Sequence, residues 1–253
     1  MEITLEQLLK GKGTIIKNKE YLPTRNYIEP FVDRMSKFTS EFICKAIEAP
    51  QLAREEDNKI YNRVWVQAVL PEEYAYENHK QSVNILYALD KQKPIVKLFK
   101  NTLNMACLNM CVFSPEYMQV SELLPESAIN FAFVKNVMEM TDNTSIMLKK
   151  LADTFIDRSN MYDELGHWID RALKSKYVGN YGTVKLAEST PIEAFKLLTF
   201  KKESPYYTED ALNCFDVYNA FTDIICNDKD KDLLNKYEKV LLVSEILGFP
   251  HWK

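Results

Sequence analysis

Two groups of lysines have a spacing that could bring their side chains against phosphate groups. One group flanks a pair of glycines near the start of the chain, and the other falls within residues 91–115, a stretch without an acidic residue. If the two segments lie together, their ammonium groups form a cationic strip that could contact single-stranded DNA, with nearby aromatic rings for base stacking. The lysines that we predict to bind DNA are Lys10, Lys12, Lys91, Lys93, Lys97 and Lys100.

The charge balance of the whole chain leaves an alternative open for these lysines. The 253 residues carry 32 basic and 36 acidic side chains, a net charge of −4. Residues 1–120 have 16 basic and 15 acidic side chains, whereas residues 121–253 have 16 and 21. This balance argues against a general nucleic-acid-binding protein, so DNA binding would have to use a local patch in the N-terminal half. The alternative is that the lysines only protect a solvated edge strand.

Residues that could support catalysis or bind a metal are few. The sequence contains only six glycines and three histidines, and it has no GxxxxGK[ST], GxGxxG or HExxH motif. Cys107 and Cys111 lack further ligands at zinc-site spacing, and Glu164-Leu-Gly-His167 is a single half of a di-iron motif that needs two. We therefore predict no catalytic residue, metal site or cofactor. An enzyme site around Asp163, Glu164 and His167 is kept as a third functional hypothesis, after the binding of DNA and the binding of another protein.

The supply of aromatic and methionine side chains supports a second hypothesis, binding to another protein. The chain has 14 tyrosines, 13 phenylalanines and nine methionines, most of which we expect in the core. Those that could belong to an interface are Tyr206, Tyr207, Met105, Met110, Met118 and Met140. A homo-oligomer is among the expected assemblies.

The N-terminal half has the pattern of a sheet with a flanking helix. Thr4 can cap a short helix that contains Leu5, Leu8 and Leu9, and apolar residues at steps of three and four predict a helix over residues 30–47. The predicted strands are residues 14–16, 60–70, 83–89 and 94–99, the last two joined as a hairpin by residues 90–93. Residues 104–113 fit a buried strand or a short helix equally well.

The C-terminal half has a helical pattern. One broad apolar face runs from Met147 to Leu173 and includes Phe155 and Tyr162, with an interruption near Ser159. Thr190-Pro191 predicts the start of a helix that runs to about Phe200, and further helices are predicted over residues 209–226 and 228–247. We therefore predict an α+β fold in which an N-terminal antiparallel sheet (residues 1–120) and a largely helical part (residues 121–253) form one continuous domain.

The chain has no apolar run long enough to cross a membrane, and its N-terminus lacks the features of a signal peptide. Its five cysteines are odd in number and lie mostly in apolar stretches, which is typical of reduced thiols. These features predict a cytoplasmic protein without a membrane partner.

Two segments resemble the phage/plasmid-like protein family known as domain-of-unknown-function family 932. The first is the run from Asn84 to Lys100 followed by Ala106-Cys-Leu-Asn-Met-Cys-Val-Phe113, and the second is Asn213-Cys-Phe-Asp-Val-Tyr-Asn-Ala-Phe-Thr222. Asn109 and Tyr218-Asn219-Ala220 match the family's pattern, while the family's serine- and aspartate-rich turn is replaced by Asp90-Lys-Gln-Lys93.

The resemblance implies an α+β protein of tailed phages, prophages or plasmids without an established enzymatic activity. It would act in the host cytoplasm or in the virion. Two functions are compatible with it: binding of single-stranded DNA in replication or recombination, and binding of phage or host proteins as an assembly component or as an inhibitor of a host defence protein. For Asn109 and Asn219 we expect structural roles.

Overall fold

The fold is that of a computed structural model. It describes residues 2–10, 14–16, 19–21, 24–48, 61–75, 79–90, 93–104, 110–111, 149–179, 182–228 and 233–248. The chain divides into two compact units, of which the first is built mainly from residues 1–101 and the second mainly from residues 142–230 and 235–253. A sheet in the N-terminal half and helices in the C-terminal half confirm the predicted α+β class.

The first unit contains an antiparallel sheet and a separate short hairpin. Its strands are β1 (Glu2–Ile3), β2 (Thr14–Ile16), β3 (Lys19–Tyr21), β4 (Phe42–Glu48), β5 (Tyr61–Val69), β6 (His79–Asp90) and β7 (Lys93–Asn104). The sheet order is β1-β4-β5-β6-β7, and β2 pairs with β3 alone. The predicted strands over residues 60–70, 83–89 and 94–99 are thereby confirmed.

One face of this sheet packs against the helical residues of the first unit. Val64, Val66 and Ala68 of β5 point to this face, and Val83, Ile85 and Tyr87 lie on the same side of β6. The rings of Tyr27 and Tyr87 lie 5.9 Å apart, centroid to centroid. Alternation along the strands turns the intervening side chains to the other face of the sheet.

Among the described residues, the first unit contains the helices α1 (Leu5–Leu9) and α2 (Glu29–Met35), the latter preceded by a π-helical turn, Thr24–Ile28. The predicted cap of α1 is confirmed: the Thr4 hydroxyl accepts a hydrogen bond from the Gln7 backbone N–H (3.1 Å), and the Gln7 side chain accepts one from the Thr4 N–H (2.9 Å). This reciprocal capping box satisfies two N–H groups that the helix itself leaves unpaired.

The helix predicted over residues 30–47 is wrong beyond Met35. The chain turns at residues 36–40 and continues as β4, with the Thr39 hydroxyl accepting a hydrogen bond from the Glu41 N–H (3.0 Å). Phe38, Phe42, Ile43 and Ile47 are spaced as on a helix, but Cys44 and Ala46 are the fully buried side chains of this segment. Because apolar side chains lie on both faces of β4, apolar and polar residues do not alternate along its sequence. The two-residue period of a strand therefore cannot be recognised there.

In the described residues, the second unit contains the helices α3 (Met161–Lys174), α4 (Ser189–Thr199), α5 (Cys214–Asn227) and α6 (Leu233–Ile246), and residues 149–153 are also helical. Its short strands are β8 (Met110–Cys111), β9 (Phe155–Ile156), β10 (Tyr177–Gly179), β11 (Gly182–Val184) and β12 (Leu212–Asn213). The end of β7 pairs with β8, β9 with β12, and β10 with β11. Helix α4 packs against both α3 and α5.

The predicted helices of this unit exist, but their first residues differ. Helix α4 begins at Ser189, one residue before the expected cap Thr190, whose N–H donates to the Ala187 carbonyl (2.9 Å). Helix α5 begins at Cys214 rather than at residue 209, because the Asn213 side chain accepts a hydrogen bond from the Asp216 N–H (2.8 Å) and serves as its cap. Residue 228, where the last helix was expected to begin, is a bend that ends α5, and α6 is described from Leu233 onward.

The Tyr218-Asn219-Ala220 positions of the family resemblance lie in α5, and all three are buried. The Thr222 hydroxyl donates to the Asn219 carbonyl at 3.1 Å. Their burial is consistent with the structural role that we expect for Asn219. Asn109 lies outside the described residues.

Two glycines of the second unit give a matched pair for a stability test. Gly248 follows α6 with φ of +76°, and a Cβ there would clash with the Arg171 guanidinium, which donates to the Ile246 carbonyl (3.2 Å). Gly166 lies inside α3, and a Cβ there would meet no atom within 4 Å. We expect Gly248→Ala to lower the free energy of unfolding by about 1–2 kcal/mol. Gly166→Ala should raise it by about 0.5–1 kcal/mol.

Urea denaturation followed by circular dichroism measures both changes. Equal shifts of the same sign in the two variants would contradict the role of Gly248 as the left-handed end of α6.

Candidate interaction surface

Of the six lysines predicted to bind DNA, the structure describes the side chains of two, Lys10 and Lys97. Lys10 ends α1 and is exposed, and its ammonium group forms an ion pair with Glu6 (2.6 Å) that lowers the pKa of the Glu6 carboxyl. Lys93, Lys97 and Lys100 lie on β7. Lys12 and Lys91 fall outside the described residues, and of Lys93 and Lys100 only the backbone is described.

Lys97 was expected on the surface, but only 1% of it is exposed. Its neighbours Val96 and Leu98 belong to the core on the helix-covered face of the sheet, so alternation places Lys97 on the other face. That face is buried as well at this point, and a phosphate outside the protein cannot reach the ammonium group. Lys97 is therefore removed from the DNA-binding set, and the role of the other lysines stays a prediction.

The face that carries Lys97 has a buried polar network. The Trp65 indole N–H donates to the Asn84 side-chain oxygen (3.0 Å), and the Asn84 amide donates to the Ser82 carbonyl (3.1 Å) and hydroxyl (3.3 Å). Gln67 stands directly opposite Asn84 across β5 and β6 and is also buried. A network of this kind fixes the register of the two strands, because a slip by one residue would move its members to the apolar face.

The structure places all three residues of the hypothetical enzyme site on α3. Asp163 and His167 are exposed on α3, and Glu164 is half-buried. Burial, together with the nearby Glu164 carboxylate, raises the pKa of the Cys214 thiol to about 12. This thiol therefore stays protonated near neutral pH, where only the thiolate would be a nucleophile. Within the described ranges, no cluster of three or more histidine, cysteine or acidic side chains could hold a metal ion.

The most distinctive surface of the second unit is a row of aromatic rings on α3 and α4. Tyr162 and Phe200 are 69% and 61% exposed, and both pack against Phe195, which is buried. The ring centroids of Tyr162 and Phe195 are 5.2 Å apart, and those of Phe195 and Phe200 are 5.7 Å apart with the planes at 72°. Phe195 is therefore a buried ring that contacts two rings exposed to solvent.

Arg158 and Tyr207 extend this row beyond the end of α4. The Arg158 guanidinium donates from Nη2 to the Thr199 carbonyl (3.3 Å) and lies 5.2 Å from the centroid of the Tyr207 ring. Thr199 is the last residue of α4 and directly precedes Phe200. We call Tyr162, Phe195, Phe200, Arg158 and Tyr207 together the aromatic surface.

The charges around the aromatic surface are mixed. Lys196 pairs with Glu193 (2.8 Å), which lowers the pKa of the Glu193 carboxyl, and Lys202 lies 3.8 Å from Glu209. Ion pairs of this exposed kind contribute little to stability, and they cancel much of the local cationic field. The surface therefore lacks the uniform positive potential that binding to the phosphate backbone of a nucleic acid requires.

Sequence reasoning missed most of this surface. Tyr162 and Phe155 were expected on the apolar face that runs from Met147 to Leu173, yet both are exposed. The predicted interruption is real: β9 and a 3₁₀ turn, Arg158–Asn160, separate the helical residues 149–153 from α3. Because this break resets the phase of the helix, the apolar face before it does not continue into α3. Of the predicted interface residues, Tyr207 belongs to the surface, whereas Tyr206 is buried.

Comparisons with known proteins give no relative from which a function could be transferred. No protein-family model matches the chain, and searches of curated proteins and of solved structures find no similar protein. The resemblance to the phage/plasmid-like family stays a prediction. In the part of the chain that the structure describes, none of the helices has both the length and the apolar character needed to cross a membrane.

Proposed function

We propose that the protein binds another protein through the aromatic surface of its second unit. The observation that carries this proposal is the exposure of Tyr162 and Phe200 on either side of the buried Phe195. Large apolar rings in contact with water are costly, and burying one in an interface contributes about 1.5–3 kcal/mol. Tyrosine and arginine are also the residues that most often dominate the energy of protein interfaces.

A protein partner accounts for these rings better than single-stranded DNA does. Exposed aromatic rings can stack on bases, but such sites combine the rings with a positively charged groove. Here two of the neighbouring lysines, Lys196 and Lys202, face glutamates, and residues 121–253 carry five more acidic than basic side chains, 21 against 16. The resemblance to the phage/plasmid-like family directs the search for the partner to phage and host proteins.

Selection from a displayed peptide library tests the proposal while the natural partner is still unidentified. We expect peptides that bind the protein with micromolar affinity by fluorescence anisotropy. Replacing both exposed rings, Tyr162→Ser with Phe200→Ser, should weaken binding about 100-fold or more, because each ring is an interface anchor. The matched control is Leu173→Ser with Val178→Ser, which removes two exposed apolar side chains outside the aromatic surface and should change the affinity less than threefold.

Two results would overturn the proposal. The first is a library without binders, or binders that hold the ring variant as tightly as the wild type. The second is tight binding of a single-stranded oligonucleotide that weakens steeply between about 50 and 200 mM salt and is lost in Lys93→Glu with Lys100→Glu. That result would establish the DNA-binding hypothesis in its place. Sedimentation velocity on the same variants shows whether the bound protein is a second copy of this chain.

A further inference from the structure

We infer that the partner segment places a carboxylate against Arg158, beside the apolar side chain that covers Tyr162 and Phe200. This inference rests on the proposed function and specifies the chemistry of its partner. The Arg158 guanidinium has more hydrogen-bond donors than the residues of the aromatic surface satisfy.

The Arg158 side chain is held in place but only partly satisfied. Nη2 donates to the Thr199 carbonyl, and the Tyr207 ring lies against the guanidinium. Nη1 is buried, and among the described residues none accepts a hydrogen bond from it. A buried charged donor without an acceptor is unfavourable, and a ligand that supplies the acceptor recovers this cost.

The acidic groups nearest in the sequence and around Tyr207 are engaged elsewhere. The Asp157 carboxylate accepts hydrogen bonds from the Ser159 N–H and hydroxyl, both at 2.8 Å, and these bonds lower its pKa. The Glu209 carboxylate accepts a hydrogen bond from the Tyr207 hydroxyl (3.4 Å) and faces Lys202. The positive charge of Arg158 is therefore not neutralised by either group.

A carboxylate is the ligand that this arrangement fits best. It accepts two parallel hydrogen bonds from one guanidinium, and such pairs are stronger and more directional than neutral hydrogen bonds. Arg158 as a whole is only half-buried, so a ligand reaches its side chain from solvent, and a side-chain rotation of the kind that often accompanies binding brings Nη1 within reach. An Asp or Glu side chain and a peptide C-terminus supply the same chemistry.

Peptides selected from the same displayed library provide the test. Fluorescence anisotropy measures the affinity of each peptide for the wild-type protein, for Arg158→Gln and for Arg158→Lys. We expect every peptide that depends on Tyr162 and Phe200 to carry an acidic group, and Arg158→Gln to weaken it about 30-fold or more. Arg158→Lys should give an intermediate loss, because lysine keeps the charge without the paired geometry. Replacing the peptide's Asp or Glu by Asn or Gln, or amidating its C-terminus, shows which source is used.

A double-mutant cycle keeps the test valid if Arg158→Gln disturbs the local fold. The neutralised peptide should lose affinity for the wild-type protein by about the same factor, and should lose almost nothing further on Arg158→Gln. Peptides that need Tyr162 and Phe200 but tolerate neutralisation of every acidic group would overturn the inference and leave the proposed function intact. Loss of all dependence on Tyr162 and Phe200 would overturn the proposed function itself.

Discussion

Charge reversal at Lys97 should unfold the first unit or lower its free energy of unfolding by about 3–5 kcal/mol. Lys97 is buried on the face of the sheet that also carries Trp65 and Asn84. Groups that accommodate an ammonium there would repel a carboxylate, and glutamate is too short to carry its charge out to water. Thermal and urea denaturation of Lys97→Glu, followed by circular dichroism, measure this loss.

Two further variants separate burial from charge at this position. Lys97→Met keeps the apolar length of the side chain and should cost distinctly less than Lys97→Glu. Lys10→Glu reverses an exposed charge and loses only the surface pair with Glu6, so its effect should stay near 0.5 kcal/mol. If Lys97→Glu were as stable as the wild type, Lys97 would have to reach solvent and would return to the DNA-binding set.

Truncating Trp168 should have the largest effect in the second unit, a loss of about 3–5 kcal/mol in its free energy of unfolding. Trp168 is 1% exposed and meets Phe221 of α5 edge to face, with the centroids 5.5 Å apart and the planes at 79°. Trp168→Ala removes this contact and leaves a cavity where α3 holds its largest buried side chain. Urea denaturation followed by near-ultraviolet circular dichroism is the appropriate measurement.

The controls for Trp168 lie in the same helix and at the same position. Tyr162→Ala removes an aromatic ring from the exposed side of α3 and should change the stability by less than about 1 kcal/mol. Trp168→Phe keeps a ring against Phe221 and should cost less than Trp168→Ala. Similar losses for Tyr162→Ala and Trp168→Ala would mean that the two rings are buried alike, which contradicts the exposure on which the aromatic surface depends.

Local signals in the sequence predicted those elements whose ends or periods are set by neighbouring residues. The Thr4 cap and the stop of α6 before Gly248 depend on side chains within four residues and on the freedom of one glycine. Strand β5 was recognisable because its β-branched and aromatic run ends at Pro71. In each case the local preference and the tertiary structure agree.

The segment from Phe38 to Ile47 could not be predicted in the same way. Its apolar residues fit a helical period as well as a strand with two apolar faces, and only pairing with β5 decides between them. That pairing joins Cys44 to Val66, which are far apart in the sequence. A single sequence contains no local signal for such a partner.

The candidate surface was less predictable than the fold, because it depends on which side of a helix meets the core. The apolar pattern of α3 includes both Trp168 and Tyr162, of which only the first is buried. The difference arises from the position of α4, whose Phe195 takes the space beneath Tyr162. For Lys97 the reason is similar, since a lysine on a β-strand is usually exposed unless a second layer covers its face.

The two-residue strand β1 also determines how the sheet can behave in concentrated solution. It pairs with β4 through Glu2 opposite Lys45 and Ile3 opposite Cys44. A long, flat and apolar edge would recruit the same edge of another molecule and seed fibrous aggregates. Here an incoming strand that pairs with β4 at Cys44 and Lys45 would have to displace β1, and it would meet the charged side chain of Lys45 there. This short strand therefore limits the addition of a further strand at these two positions, although it contributes little to the area of the sheet.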